Sequence, residues 1–160
     1  MTTASRVTWK PHALPQLGVR FDRIADAEPQ QGVEGTMRYF VQARQPVQIA
    51  LWAGPGQDLA TWRSRFHPGT EFSGERRVTI CGQAAIVQEA RQAASEATGL
   101  VPEADGSLHH IQAQVPAQIH IVVAFSQRQQ PVLMSWAIHP DVREVWRAEE
   151  QHFFASIVCE

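Results

Sequence analysis

The sequence is poor in the residues that staple small or metal-dependent proteins together. It has two cysteines, Cys81 and Cys159, in 160 residues. Neither belongs to a CxxC pair or lies at zinc-finger spacing from histidine, which excludes zinc-finger and thioredoxin-type chemistry. The two can meet as one disulfide in an oxidising compartment. For a chain without a visible secretory leader, two buried free thiols is the better expectation. No stretch approaches the roughly 18 apolar residues of a membrane span, and the first ten residues carry Arg6 and Lys10 but no apolar run of signal-peptide length. A cytoplasmic protein with no membrane insertion is therefore expected. An excess of one charge is also lacking: 14 basic residues against 16 acidic ones leave a net charge of −2, which gives no general attraction to nucleic acid or anionic lipid. Only Arg76-Arg77 are adjacent basic residues, so no nucleic-acid surface is expected. GxxxxGK[ST], GxGxxG and GxSxG are all absent, and with them the nucleotide-binding and hydrolase templates.

What remains is an ordinary globular composition, 44% hydrophobic and 19% charged in 17.9 kDa. A compact chain of that mass exposes about 8,000 Å² and buries roughly 69% of its unfolded surface, enough for a core without staples. The length argues for one domain. Residues 1–17, with Pro11 and Pro15, read as an extended lead-in with Val7 and Trp9 packed on the body, and 18–160 as a single α+β domain. Gly18–Ile24 alternates apolar and charged residues with Val19 and Phe21 on one face, the pattern of a half-buried strand. Met37–Ala43 and Val47–Ala53 read as a hairpin across Arg44-Gln45-Pro46, Arg77–Cys81 and Ala84–Ala90 as a second. The third and strongest joins Ala117–Ser126 to Pro131–His139 through Gln127-Arg128-Gln129-Gln130, with Ile119, Ile121, Val123 and Phe125 on one face and Val132, Met134, Trp136 and Ile138 on one face of the partner.

Two helices are expected. Asp58 is a good N-cap for a short one presenting Leu59, Trp62 and Phe66. Pro140 opens a long one whose stripe is Val142, Val145, Trp146, Phe153 and Ile157. Between the second and third hairpins, Arg91 to Gln118 is polar and broken by Gly99, Pro102, Gly106 and Pro116, the signature of a long functional or mobile loop. The order predicts an α+β fold, a curved antiparallel β-sheet flanked by helices, rather than a doubly wound parallel sheet.

Chemistry-bearing residues are few. His109 and His110 in the loop, with His120 and His139 on the last hairpin, are the candidates for a metal site or an enzyme using 91–118 as a lid. They lack a carboxylate or cysteine at diagnostic spacing, and isolated histidines usually only make hydrogen bonds; no cofactor is expected. Glu149 falls inside the apolar stripe of the last helix. A carboxylate there must be paired with an arginine or stand at the rim of a groove between helix and sheet. Trp52, Trp62, Trp136, Trp146, Phe153 and Phe154 read mainly as core, any exposed member being a contact for a partner. Trp52, Trp62, Trp136 and Glu149 are thus the candidate binding residues.

The run Val78-Thr79-Ile80-Cys81-Gly82-Gln83-Ala84-Ala85, followed by a hairpin and by Trp146-Arg147-Ala148-Glu149-Glu150-Gln151-His152-Phe153-Phe154-Ala155-Ser156-Ile157, resembles the PsbP-like superfamily, which includes the Mog-type Ran-binding proteins and many small bacterial proteins. The resemblance covers roughly residues 18 to 158 in element order. It implies an α-β-α sandwich around an antiparallel sheet and a non-catalytic binding role, and some bacterial members chaperone transmembrane segments of type VI secretion effectors. The expected function is therefore not enzymatic. It is an adaptor or chaperone-like protein that binds a polypeptide partner, such as a secreted effector, on its sheet face or in the sheet–helix groove. A homodimer through the same face is the other use of that surface.

Overall fold

A computed structural model of the chain describes residues 5–160. In chain order the elements are β1 (Trp9–Leu14), β2 (Val19–Ile24), β3 (Gln30–Glu34), β4 (Met37–Arg44), β5 (Val47–Ala53), α1 (Leu59–Ser64), β6 (Glu71–Phe72) and β7 (Arg76–Ile80). They continue with β8 (Gln83–Gln92), β9 (Ser95–Pro102), β10 (Leu108–Val115), β11 (Gln118–Gln127), β12 (Gln130–Ile138), α2 (Arg147–Ala155) and β13 (Val158–Cys159). The three expected hairpins form the main sheet, ordered β3-β4-β5-β12-β11-β8-β6, with β7 also paired to β8. The period-2 pattern of β11 and β12 sets their register: Ile121 faces Trp136, Val123 faces Met134, and Phe125 faces Val132. Two of the hairpins turn on just two residues with positive φ, Arg128–Gln129 at 52° and 63° and Cys81–Gly82 at 57° and 71°. Such turns match the right-handed twist of their strands.

The two faces of this sheet are covered differently. On the inner face Phe40, Leu51, Met134 and Trp136 meet Phe21 and Ile24 of β2 and Phe153 of α2. Phe21 stands edge-on to Phe40 and to Phe153, at centroid distances of 5.2 and 6.1 Å. On the outer face Val122, Leu133 and Ala90 pack under Trp62 of α1. That helix starts where expected because the Asp58 side chain accepts the Thr61 N–H at 2.8 Å.

Three expectations are overturned. The described residues are 55% strand and 12% helix, so the chain is not a sheet flanked by helices as an α-β-α sandwich. The two α-helices among the described residues have only six and nine residues. Most of the inner layer is supplied instead by strands from both ends of the chain: β1 pairs with one edge of β2, from Trp9↔Ile24 to Leu14↔Val19, and β13 with the other. The long terminal helix is replaced by one 3-10 turn at Pro140–Val142 and then α2, which leaves Val145 exposed.

The second correction concerns 91–118, which is not a lid-like loop. β9 and β10 pair from Ser95↔Val115 to Pro102↔Leu108 as a separate two-stranded arm. Its breakers are absorbed without breaking it: Gly99 lies opposite Ile111, Pro102 ends its strand, and Gly106 takes a positive φ of 87° in the turn. The arm helps raise the accessible surface to 9589 Å², against the about 8,000 Å² of a compact chain. Third, Cys81 and Cys159 are not free thiols. Pairing of β13 with β2 carries Cys159 to the Cys81–Gly82 turn, where the two form a disulfide across a Cα–Cα distance of 5.2 Å.

Candidate functional site

The inner layer stops short of the β7–β8 side of the main sheet, and a groove opens there. Its floor is the inward set of three neighbouring strands: Val78 and Ile80 of β7, Val87 of β8, and Ile121 and Val123 of β11. The wall is α2, through Arg147, Gln151 and Phe154, and the enclosed volume is about 330 Å³. Strand alternation places the floor, since Val87↔Val123 and Val78↔Ala85 are cross-strand pairs on one face.

A ring of ion pairs borders the groove. Arg143, just before α2, donates both Nη groups to the Glu89 carboxylate, one of them at 3.0 Å to Oε2. Its Nε stands 3.4 Å from Glu150 Oε1. Arg147 donates to Glu150 Oε2 at 3.1 Å and also to Glu144. The Arg143 and Glu150 side chains are only 10% and 9% exposed, which makes these charge-assisted bonds stronger than surface pairs. The bonds from Arg143 hold the Glu89 carboxyl below its ordinary range, against the opposing effect of burial. Burial works against the Arg143 charge, but Glu89 and Glu150 outweigh it and raise the guanidinium's pKa. The Glu89–Arg143 pair thus stays ionised at neutral pH. Arg143 Nε and Glu150 Oε1 face each other without a well-formed hydrogen bond, so polar capacity is left unused beside the apolar floor. Arg76, at the start of β7, also lines the groove and enters none of the ion pairs among the described residues.

Each carboxylate of the groove is tied to an arginine, and its lining has no serine, threonine, cysteine or histidine. What it offers is a place for an apolar side chain next to fixed charges.

Phe154 of the aromatic set lines the groove, but the candidate binding residues and histidines singled out in the sequence lie elsewhere. Trp136 is fully buried in the inner core, with its Nε1–H unpaired. Trp62 is buried on the sheet side of α1, and the half-buried Trp52 carries the Arg65 guanidinium 5.5 Å from its ring centroid. Glu149 is buried and accepts the backbone N–H of Arg6 at 2.9 Å, so it fastens the segment leading into β1 rather than pairing with an arginine side chain. Of the four histidines, His109 and His110 are successive residues of β10 and point to opposite faces of the arm; His109 stands 3.7 Å from Glu103. His120 packs edge-on beneath Phe66 at 4.9 Å, and burial pushes its pKa down to about 4. His139 Nδ1 accepts the Asp141 N–H at 3.1 Å. The fold does not bring the four together, and among the described residues no three His, Cys, Asp or Glu side chains converge as a metal site.

The groove residues missed in the sequence are Glu89, Arg143 and Glu150. One signal was readable: Glu89 interrupts the inward alternation of Ala85 and Val87, and an inward carboxylate needs a cation. The cation itself lies 54 residues away.

No known protein family matches the sequence, and no curated protein does. Among solved structures the chain is similar to the solution structure of cyanobacterial PsbP (CyanoP) from Synechocystis sp. PCC 6803. The identity is 8%, the TM-score 0.62, and the match covers 100% of this chain and 97% of that one. At this identity the likeness concerns architecture alone and reaches neither a Mog-type nor a bacterial subfamily; the chain has a PsbP-like fold.

Proposed function

We propose that the protein is a non-catalytic adaptor that holds a segment of a polypeptide partner in the groove between β7, β8, β11 and α2. The observation that carries this reading is the pairing of an apolar floor with a partly buried, pre-formed ion ring, since rigid charges beside a pocket orient a chain without being reordered on binding. One large apolar side chain seated on Val78, Ile80 and Val123 contributes about 1.5–3 kcal/mol. A micromolar complex needs about 8 kcal/mol, so the segment must touch more than the pocket. The outer edge of β7, which pairs only with β8, can supply backbone hydrogen bonds to an added strand.

The Cys81–Cys159 bond bears on the compartment. Disulfides persist where the surroundings are oxidising, so the bond favours an exported location over the cytoplasm. An adaptor works in either place. Its chaperone version, with an apolar segment of a secreted effector in the groove, requires the cytoplasm and hence reduced thiols.

A photo-crosslinking amino acid placed at Gln151 in the groove, in cells that produce the protein, tests the reading against the same probe at the remote, exposed Gln31. The groove position should trap a polypeptide of defined mass, and Ile80→Glu should abolish the product. Equal trapping at both positions, or none in the groove, refutes the proposal.

A further inference from the structure

The β9–β10 arm is unfinished as it stands. A two-stranded ribbon on its own is at best marginally stable in water, and three or more strands are needed for independent stability. Yet seven of the eight residues of β10 are exposed, and apolar side chains point outward on both faces, Leu108 and Leu100 on one and Val101 and Ile111 on the other. We infer that the arm is completed by a second copy of this chain, with β10 pairing antiparallel to its equivalent across a two-fold axis to give a four-stranded sheet β9-β10-β10-β9.

The two edges of the arm differ in the way this arrangement requires. Natural sheets protect their open edges with charge, proline and irregularity. β9 has all three in Glu96, Gly99 and Pro102, whereas Leu108–Val115 contains no Asp, Glu, Lys, Arg, Pro or Gly. A strand that pairs antiparallel with itself across a two-fold sets only its central side chain opposite that side chain's own equivalent, and every other residue opposite a different one, so a charge near the centre would repel itself. β10 is free of that penalty. Pairing through β10 also leaves the protected β9 edges outermost, which closes the assembly at two copies instead of propagating a fibre. The open edges of the main sheet are unlike β10, for β3 ends in Glu34 and β7 begins with Arg76 and Arg77.

Charge and area agree with this choice of occupant. Antiparallel pairing brings the acidic tip of each arm, Glu103 and Asp105, to the root of the other, near the exposed Arg91, which enters none of the ion pairs among the described residues. The chain exposes 9589 Å², about 1,600 Å² more than a compact protein of its mass. Each partner in a standard interface covers about 800 Å², less than this surplus. This surface is separate from the groove, and occupation of one does not depend on the other.

Sedimentation velocity of the full chain over a concentration series tests the inference, together with Gln112→Lys and Gln112→Glu, two changes at an exposed position near the centre of β10. The unaltered chain should show a reversible monomer–dimer equilibrium. Each variant alone should weaken dimerisation about fivefold or more through self-repulsion, while keeping the thermal midpoint of the unaltered monomer. An equimolar mixture of the two should recover the dimer, because Lys then faces Glu. That recovery separates an interface effect from misfolding. A chain that stays monomeric up to about 1 mM, a dimer that survives both variants, or a mixture that fails to recover it overturns the inference.

Discussion

Cutting the Cys81–Cys159 bond should cost the protein a large part of its stability. The bond closes a loop of 78 residues. In the chain-entropy account, a cross-link of that span removes about 15 cal/mol/K from the unfolded ensemble, or about 4.5 kcal/mol at 25 °C. For a domain of this length each kcal/mol moves the melting temperature by about 2–4 °C, so a fall of roughly 10 °C or more is expected. Locally, β13 is a two-residue strand held to β2 by Val158↔Arg20 and Cys159↔Val19. Without the bond, its remaining ties include the Ser156 hydroxyl, which accepts the Asp22 N–H at 2.9 Å. The assay compares thermal and urea unfolding of the oxidised chain, the chain in excess reductant, and the double variant Cys81→Ser/Cys159→Ser. The reduced protein and the double variant should agree with each other, melt well below the oxidised form, and show a steeper urea dependence because their unfolded chains expose more surface. If the three melt together, or if thiol titration of the unreduced, denatured protein finds two free sulfhydryls, the reasoning fails.

Two further outcomes follow from buried charge. His120 has its pKa depressed to about 4 by burial, below the roughly 6.5 of an unfolded histidine; the unfolded state then binds the extra proton first, so stability is fully present above about pH 6.5 and is lost as pH falls towards 4, by about 3 kcal/mol. Urea midpoints measured across that interval should fall for the native chain and lose this component in His120→Leu; identical slopes would contradict a buried, neutral His120. Arg143→Ala leaves Glu89 and Glu150 without their shared cation and should destabilise by about 3 kcal/mol, the lower end for a broken buried pair because Glu89 is partly solvated. Arg143→Lys should recover only part of this, since an ammonium cannot make the two-pronged bond to Glu89; a loss under about 1 kcal/mol for the alanine variant would show that the ring is not structural.

Sequence patterning reports burial, and the parts of the fold that were legible are those where burial alternates. β11 and β12 declare themselves because Ile119 to Phe125 and Val132 to Ile138 supply the inner face residue by residue. α1 is legible through a local device, the Asp58 cap. The arm escaped for the same reason in reverse: with both faces exposed it has no apolar period, and its Gly and Pro read as loop. β1 was obscured by Pro11, tolerable there because the strand lies at a sheet edge. The long helix was over-read because Val142 and Val145 fit the stripe of Phe153. Arg143, between them, is instead drawn to Glu89 on another strand, a preference no local window contains. The groove was hidden likewise. Its apolar residues were visible as strand residues, but a space between β7–β8 and α2 exists only after the small sheet has taken its place. Glu149 shows the limit of the wheel, which marked a buried carboxylate and could not show that its donor is the main chain of Arg6.

The small sheet has a consequence for biogenesis. β2 is flanked by β1 and β13, yet β13 is translated only after every other strand. At about 5–20 residues per second on the ribosome, the interval between β2 and β13 is several seconds or longer. Throughout that time Phe21 and Ile24 lack the lid formed by α2, and Cys81 has no sulfur to meet. Nascent chains must therefore be shielded, or kept extended, until α2 and β13 emerge, and the disulfide can form only once Cys159 has been translated. A factor that delays collapse, such as a translocation channel or a holding chaperone, would raise the yield of correctly bonded protein, whereas premature compaction would strand the tip of β7–β8 without its tether.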